Sequence, residues 1–465
     1  MNRDEGSSSA ASSPLHYFPV SPPSPGVGSP YPWLTEPAEE RGLLLIRLIV
    51  ACAYHVSAGN LEDANIWLEH ISCLTSPDGD PMQRMVAYFT AALADRILRS
   101  WPGLYGALKS TKILSVTEEI LVQRLFYELC PFLKLAHVIT NQAIFEAMEG
   151  EKMIHIIDLN SSQPAQMIDL LQTLSARPEG PPHLRITGIH EHKDVLEQMS
   201  LRLTEEAEKL DIPFQFNPIV SKLENLDIES LRVKSGEALA ISSVLQLHYL
   251  LATDEEMQRK NSPSVSARLQ KLSLMNQRPL KDWLEKDLFS LLSMSPDSDL
   301  SPLSLSASSK MGSSLSALSG LSPKVMVVTE QESNHNSSNL LERISEALFY
   351  YAALFDCLES TVPRTLVERQ MVEKMLFGEE IKNIVACDRF ERTKRHEKLE
   401  KWSLRLELAG FSKVPLSNQG MMQATRLLRQ NHVFSDYNIK DKNGCSMICW
   451  HDRPLFSVSA WRFRR

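Results

Sequence analysis

With 465 residues, 43% of them hydrophobic and 23% charged, the chain is long and apolar enough for one large domain with tails, or for roughly two or three ordinary domains. Its 57 Asp and Glu against 49 Lys and Arg leave a formal charge of −8, which argues against an autonomous nucleic-acid binder, because neutralising phosphates calls for a basic excess. Seven scattered cysteines, an odd number without a Cys-x-x-Cys pair, fit neither a disulfide framework nor a zinc module and point to reduced thiols in a cytosolic or nuclear compartment.

Residues 1–37 are dominated by Ser and Pro (Ser7-Ser8-Ser9, Pro22-Pro23) and lack apolar periodicity, so they are expected to form a disordered tail. The longest apolar run, Gly42 to Ala53, is interrupted by Arg47 and is too short to span a bilayer. With no signal-peptide pattern at the start, a soluble protein without membrane association is expected. From Glu39 to Gly150 the spacing predicts only helices: Leu61, Ala64, Leu68 and Ile71 share one face, as do Met82, Met85, Val86, Phe89, Leu93 and Ile97. Asp80 as cap, Pro81 at the first position and Gln83 completing a capping box mark one start, and Gly150 marks a left-handed end. Residues 38–150 are therefore expected to form a helical cap.

At Met153 the pattern changes. Ile154-His155-Ile156-Ile157-Asp158 is a short apolar run suited to a strand buried on both faces of a parallel sheet. Helix and strand then alternate: a helix carrying Leu170, Leu171 and Leu174; strand 184–189; helix 195–210; strand 213–219; strand 238–244. A segment at about 293–322 follows in which 13 of 30 residues are Ser, expected to be a structureless insertion. Beyond it come strand 324–329, a long helix through Leu358, and closing strands at 437–440, 446–450 and 455–461. This alternation predicts a doubly wound α/β sheet, Rossmann-like, under an N-terminal helical cap, with residues 151–465 as the α/β core.

The ordered motifs resemble those of the GRAS family of plant regulators, in its Scarecrow-like subgroup. A leucine-rich region (Gly42 to Leu98) is followed by Ile154, His155, Ile156, Ile157 and Asp158. A second leucine-rich helix with Leu196, Leu203 and Leu210 comes next, then Pro323 with its strand, Phe349-Tyr350, Arg395-His396-Glu397, and the closing Ser459-Ala460-Trp461. The tryptophan that the family commonly carries after the first strand is Met167 here. The resemblance spans Glu39 to Arg465. It implies a methyltransferase-like core and a nuclear transcriptional co-regulator without catalytic, cofactor or metal residues, acting in gibberellin signalling and root development. The partners it implies are other GRAS proteins, including the DELLA type, and INDETERMINATE-domain zinc-finger proteins, through which DNA is reached indirectly.

The residues admit competing chemistry. A methyltransferase or small-molecule sensor would use the loop after the first strand, Asp158 to Gln166, with Asp158 orienting a ligand and Glu191 holding a ribose. That loop has no glycine to let a cofactor approach the backbone, so Asp158 as a turn cap and Glu191 as a solvated acid are the plainer readings. His190 and His192 lack further ligands for zinc. Leu196, Leu203 and Leu210 suit a crossover helix better than a zipper. Leu288, Leu291 and Leu292 match a Leu-x-x-Leu-Leu docking motif. The run Arg389 to Lys398 reads as a solvated helix with internal ion pairs, although Arg389, Arg392, Lys394 and Arg395 offer a direct DNA-binding alternative. Trp461, in a closing strand, reads as a structural lock.

Overall fold

The computed structural model describes residues 38–109, 115–252 and 310–464. Residues from Gly42 onward form one compact unit. Helices α1 (Ala38–Ala58), α2 (Leu61–Leu74), α3 (Pro81–Leu98), α4 (Pro102–Lys109), α5 (Val116–Leu129) and α6 (Phe132–Ala147) come first. Asp80 accepts from the Gln83 amide at 2.9 Å while the Gln83 side chain accepts from the Asp80 amide at 3.2 Å, which fixes the start of α3. Gly150, at φ +73°, follows the end of α6. The apolar run at Gly42 lies in a helix of 21 residues, long and apolar enough by length and composition to cross a membrane, yet its Leu45, Ile49, Cys52 and Ala53 are buried in the protein's own core.

The α/β part runs β1 (Met153–Asp158), α7 (Ala165–Ser175), β2 (His183–His190), α8 (Lys193–Lys209), β3 (Phe214–Val220), β4 (Ala238–Val244), α9 (Lys310–Gly320), β5 (Val325–Gln331) and α10 (Leu340–Thr361). Next are α11 (Val367–Met371), a π-helical stretch (Val372–Phe377), α12 (Gly378–Val385), α13 (Leu399–Leu408), β6 (Phe411–Val414), α14 (Asn418–Arg429), β7 (Tyr437–Lys442), β8 (Cys445–Trp450) and β9 (Arg453–Phe463). Strands β3-β2-β1-β4-β5 are mutually parallel; β9 lies antiparallel against β5, then β8 and β7, and β6 pairs with the far end of β9. The order reverses between β1 and β4, where a doubly wound sheet opens its cleft.

Each inner strand is apolar on both faces. Ile154, Ile156, Ala240 and Val327 face one core with α6, α7, α8 and α10, whereas Ile157, Ile241, Val328 and Trp461 face another with α9 and α13. Leu196 and Leu203 are fully buried on α8, which packs on β2 and β3 as a crossover helix.

Two expectations need correction here. The Ser-rich segment is not structureless throughout: α9 occupies Lys310–Gly320, and Met311, Leu315 and Leu318 bury its inner face. The cap is not purely N-terminal either. Helix α3 packs on α10 and α12, and α5 on the π-helical stretch, while α6 lies against β5 and β9 and so belongs to the sheet layers. Buried ion pairs fasten the junction: Arg84 meets Glu373 and Glu359, each at 3.0 Å, and Arg369 meets the same two carboxylates at 3.0 and 2.6 Å.

Candidate functional site

A cavity of about 400 Å³ opens where β1, β2 and β4 end, at the switch point, and α5 borders it from the cap side through Glu119, Ile120 and Gln123. Its floor begins with the loop after β1. The Leu159 amide donates to the Ser242 carbonyl at 2.9 Å and the Ser161 amide to the Ile189 carbonyl at 3.1 Å. The Asn160 side chain donates to the Val244 carbonyl at 3.0 Å. Asp158 turns back on the same loop, accepting from the Asn160 amide at 3.1 Å and the Ser161 hydroxyl at 2.8 Å. Burial pushes its carboxyl up to about 6, against the pull of those two donors. Ser161 in turn sits over Gly188, where a Cβ would fall 2.6 Å from its hydroxyl. Loop amides that would cradle a nucleotide are thus spent on neighbouring strand ends.

At the rim, Glu191 is half-exposed and paired with Lys222 at 3.1 Å. His190 accepts the His192 amide at 3.1 Å, and burial first lowers its pKa. Among the described residues, no group of three or more His, Cys, Asp or Glu is placed to hold a metal.

Several motif residues converge beyond β5. His335 meets His396 at 3.1 Å between their Nδ1 atoms and Ser333 at 2.6 Å, and its ring lies edge-on to Tyr350. His248 packs against His396 and faces Glu330 at 2.9 Å. Burial, aided by the Arg392 charge, pushes His335 down to about 3, so it is neutral. Tyr350 is fully buried and donates to the Leu455 carbonyl at 3.2 Å, while the adjacent Phe349 faces out beneath the Arg453 guanidinium. Glu397 is gripped by Arg405 at 2.6 and 2.9 Å and by Asn336 at 2.7 Å; burial works against its charge, and Arg405 outweighs burial to hold its pKa low. The other motif residues are elsewhere. Ile154, Ile156 and Ile157 are core residues of β1, and His155 bonds Thr187 at 2.8 Å and Arg185 at 2.9 Å beneath the sheet. Pro323 is buried just before β5, and Ser459, Ala460 and Trp461 are buried in β9, with Trp461 donating to Ser459 at 2.9 Å. Leu288, Leu291 and Leu292 lie outside the described residues.

The basic run is the largest correction. It is not a solvated helix: a single turn (Arg389–Glu391) leads into extended chain, and Arg392, Arg395, His396 and Glu397 are buried. Arg392 donates to the Ser337 carbonyl at 3.1 Å; Arg395 donates to the Arg392 and Arg389 carbonyls at 3.1 and 2.6 Å. These guanidiniums hold loops together and are withdrawn from phosphate. Sequence reasoning also missed His248, Glu330, Gln331 and His335. Their one signal is position, in loops just past the carboxyl ends of β4 and β5, where such folds place ligands.

A Rossmann-like sheet of methyltransferase type, its first-loop amides bonded to neighbouring strand ends, defines the class. The chain belongs to the GRAS domain family, whose model matches residues 45–462. It is 57% identical to Scarecrow-like protein 3 of Arabidopsis thaliana over 100% of this chain and 99% of that one. It is 32% identical to the DELLA protein GAI1 of Vitis vinifera, over 91% of this chain and 62% of that longer protein. The crystal structure of SCL7 from Oryza sativa aligns with a TM-score of 0.70 at 27% identity, covering 90% of this chain and 99% of that chain. These are plant proteins of transcription regulation and development, and the chain stands among them.

Proposed function

We propose that the protein is a nuclear transcriptional co-regulator without catalytic activity, a scaffold that joins regulatory proteins to DNA-bound partners in gibberellin signalling and root development. The observation that carries the reading is the first loop: its amides and its Asp158 are bonded internally, so the Rossmann-like cleft lacks the cradle a methyl-donating cofactor needs. Likeness to Scarecrow-like and DELLA proteins supports the regulatory role. The partners we assign are other GRAS proteins, DELLA type included, and INDETERMINATE-domain zinc-finger proteins. Contact with another GRAS protein is assigned to the cap, where Trp101, Leu104 and Leu108 present an apolar stripe at helical spacing, 48, 50 and 45% exposed. Titrating the purified chain into a labelled INDETERMINATE-domain protein tests the scaffold: saturable binding is expected, and its absence at high micromolar chain would refute the assignment.

A further inference from the structure

Three residues that line the cavity at the switch point carry buried polar atoms without a hydrogen-bond partner among the described residues. Gln331 Oε1, His248 Nε2 and His137 Nδ1 have no hydrogen-bond partner, all three residues line the cavity, and they are only 6, 3 and 6% exposed. Such atoms are costly to bury alone, and native folds rarely leave three around one space. Their chemistry is fixed by what holds the other end of each side chain. The Gln331 amide nitrogen donates to Glu380 at 3.5 Å, which leaves its oxygen as a free acceptor. His248 Nδ1 is 2.9 Å from a Glu330 carboxylate oxygen, so Nδ1 is engaged there and Nε2 is the ring nitrogen left to a ligand. Burial pushes His137 down to about 4, and its ring is neutral.

The walls add the rest. Phe126, Tyr127, Leu354, Phe377 and Phe456 give the cavity an apolar, largely aromatic lining. Charged groups on that lining are Glu119, Glu191, Glu224 and Glu380 against Lys222 and Lys394. Both lysines are already engaged, Lys222 with Glu191 at 3.1 Å and Lys394 with Glu380 at 3.6 Å. An anion entering here meets an acidic excess with no free cation among the described residues, while a neutral hydrogen-bonding molecule meets the Gln331 oxygen and His248 Nε2.

We propose that this cavity is a binding site for a small neutral molecule with a ring body and at least two hydroxyl or N–H groups, directed to Gln331 and His248. The site goes beyond the scaffold reading. It is tested without any protein partner, so its failure leaves that reading untouched.

The test is calorimetry on the full chain with two neutral ring-bodied probes, adenosine and catechin, and with AMP as the anionic counterpart. One of the neutral probes is expected to bind one-to-one in the micromolar range, and AMP at least about tenfold more weakly than adenosine. Gln331→Leu is expected to weaken the bound probe by about tenfold. Because that residue is buried, Gln123→Trp on the cap-side rim serves as a second variant: it is expected to block entry while leaving the melting temperature of the unliganded chain unchanged. No binding of either neutral probe at millimolar concentration would overturn the proposal. So would binding that is unchanged in both variants, or AMP binding more tightly than adenosine.

Discussion

Trp461 is fully buried near the end of β9, between Met326 of β5 and Lys413 of β6, and its ring belongs to the core on the α9 side of the sheet. Trp461→Ala is expected to lower unfolding free energy by roughly 3–5 kcal/mol, the usual cost of emptying a large aromatic site. An unchanged denaturant midpoint would make the ring a contact rather than a lock. Asp158 offers a titration. Its folded pKa, about 6, exceeds the ordinary 3.8, so the stability it confers is complete below pH 4 and is lost as pH rises through 6. Asp158→Asn keeps an acceptor for the Asn160 amide and removes the charge. Between pH 4 and 6 the variant should therefore gain on the wild type by roughly 2–3 kcal/mol, a window that paired urea titrations resolve. The place of Trp461 was legible from strand alternation. The burial of Arg392 and Arg395 was not: their acceptors on Ser337 and Asn336 become neighbours only when the chain after β5 folds over the sheet.

Helix α9 shows why an element can be hidden by composition. Four of its eleven residues are serine and the sequence around it reads as serine-rich linker, yet β4 and β5 are parallel neighbours, and a parallel pair needs a crossover that covers the sheet. Met311, Leu315 and Leu318 supply the necessary spacing within that linker. Leu315→Ala is expected to cost about 2–5 kcal/mol, and a denaturant midpoint equal to wild type would show that the helix is dispensable. Elements with strong local signals were legible for the same reason in reverse. The Asp80 capping box and the Ile154–Asp158 strand are each defined within a few residues, whereas the pairing of β6 with β9 joins short, mixed-polarity Phe411–Val414 to a distant strand and left no local trace. The two-part cap was hidden likewise, since the Arg84 and Arg369 ion pairs span residues far apart in the chain.

Across the molecule, we propose separate surfaces for separate tasks. The stripe on α4 is assigned to another GRAS protein, so Leu104→Asp with Leu108→Asp is expected to abolish pairing with the melting temperature nearly unchanged, as light scattering and thermal denaturation would report. Pairing that survives these changes would move the interface away from the cap. DNA is assigned to partners. The net charge of −8 opposes long-range approach to phosphate, and Arg392 and Arg395 of the most basic segment are bonded to the protein's own carbonyls. The most direct measurement is fluorescence anisotropy of labelled promoter DNA at physiological salt, with the purified chain alone, an INDETERMINATE-domain protein alone, and both together. The chain alone is expected to leave the DNA signal flat, and to raise it further once the zinc-finger protein is bound. Saturable, sequence-selective binding by the chain alone, persisting at that salt, would contradict the account.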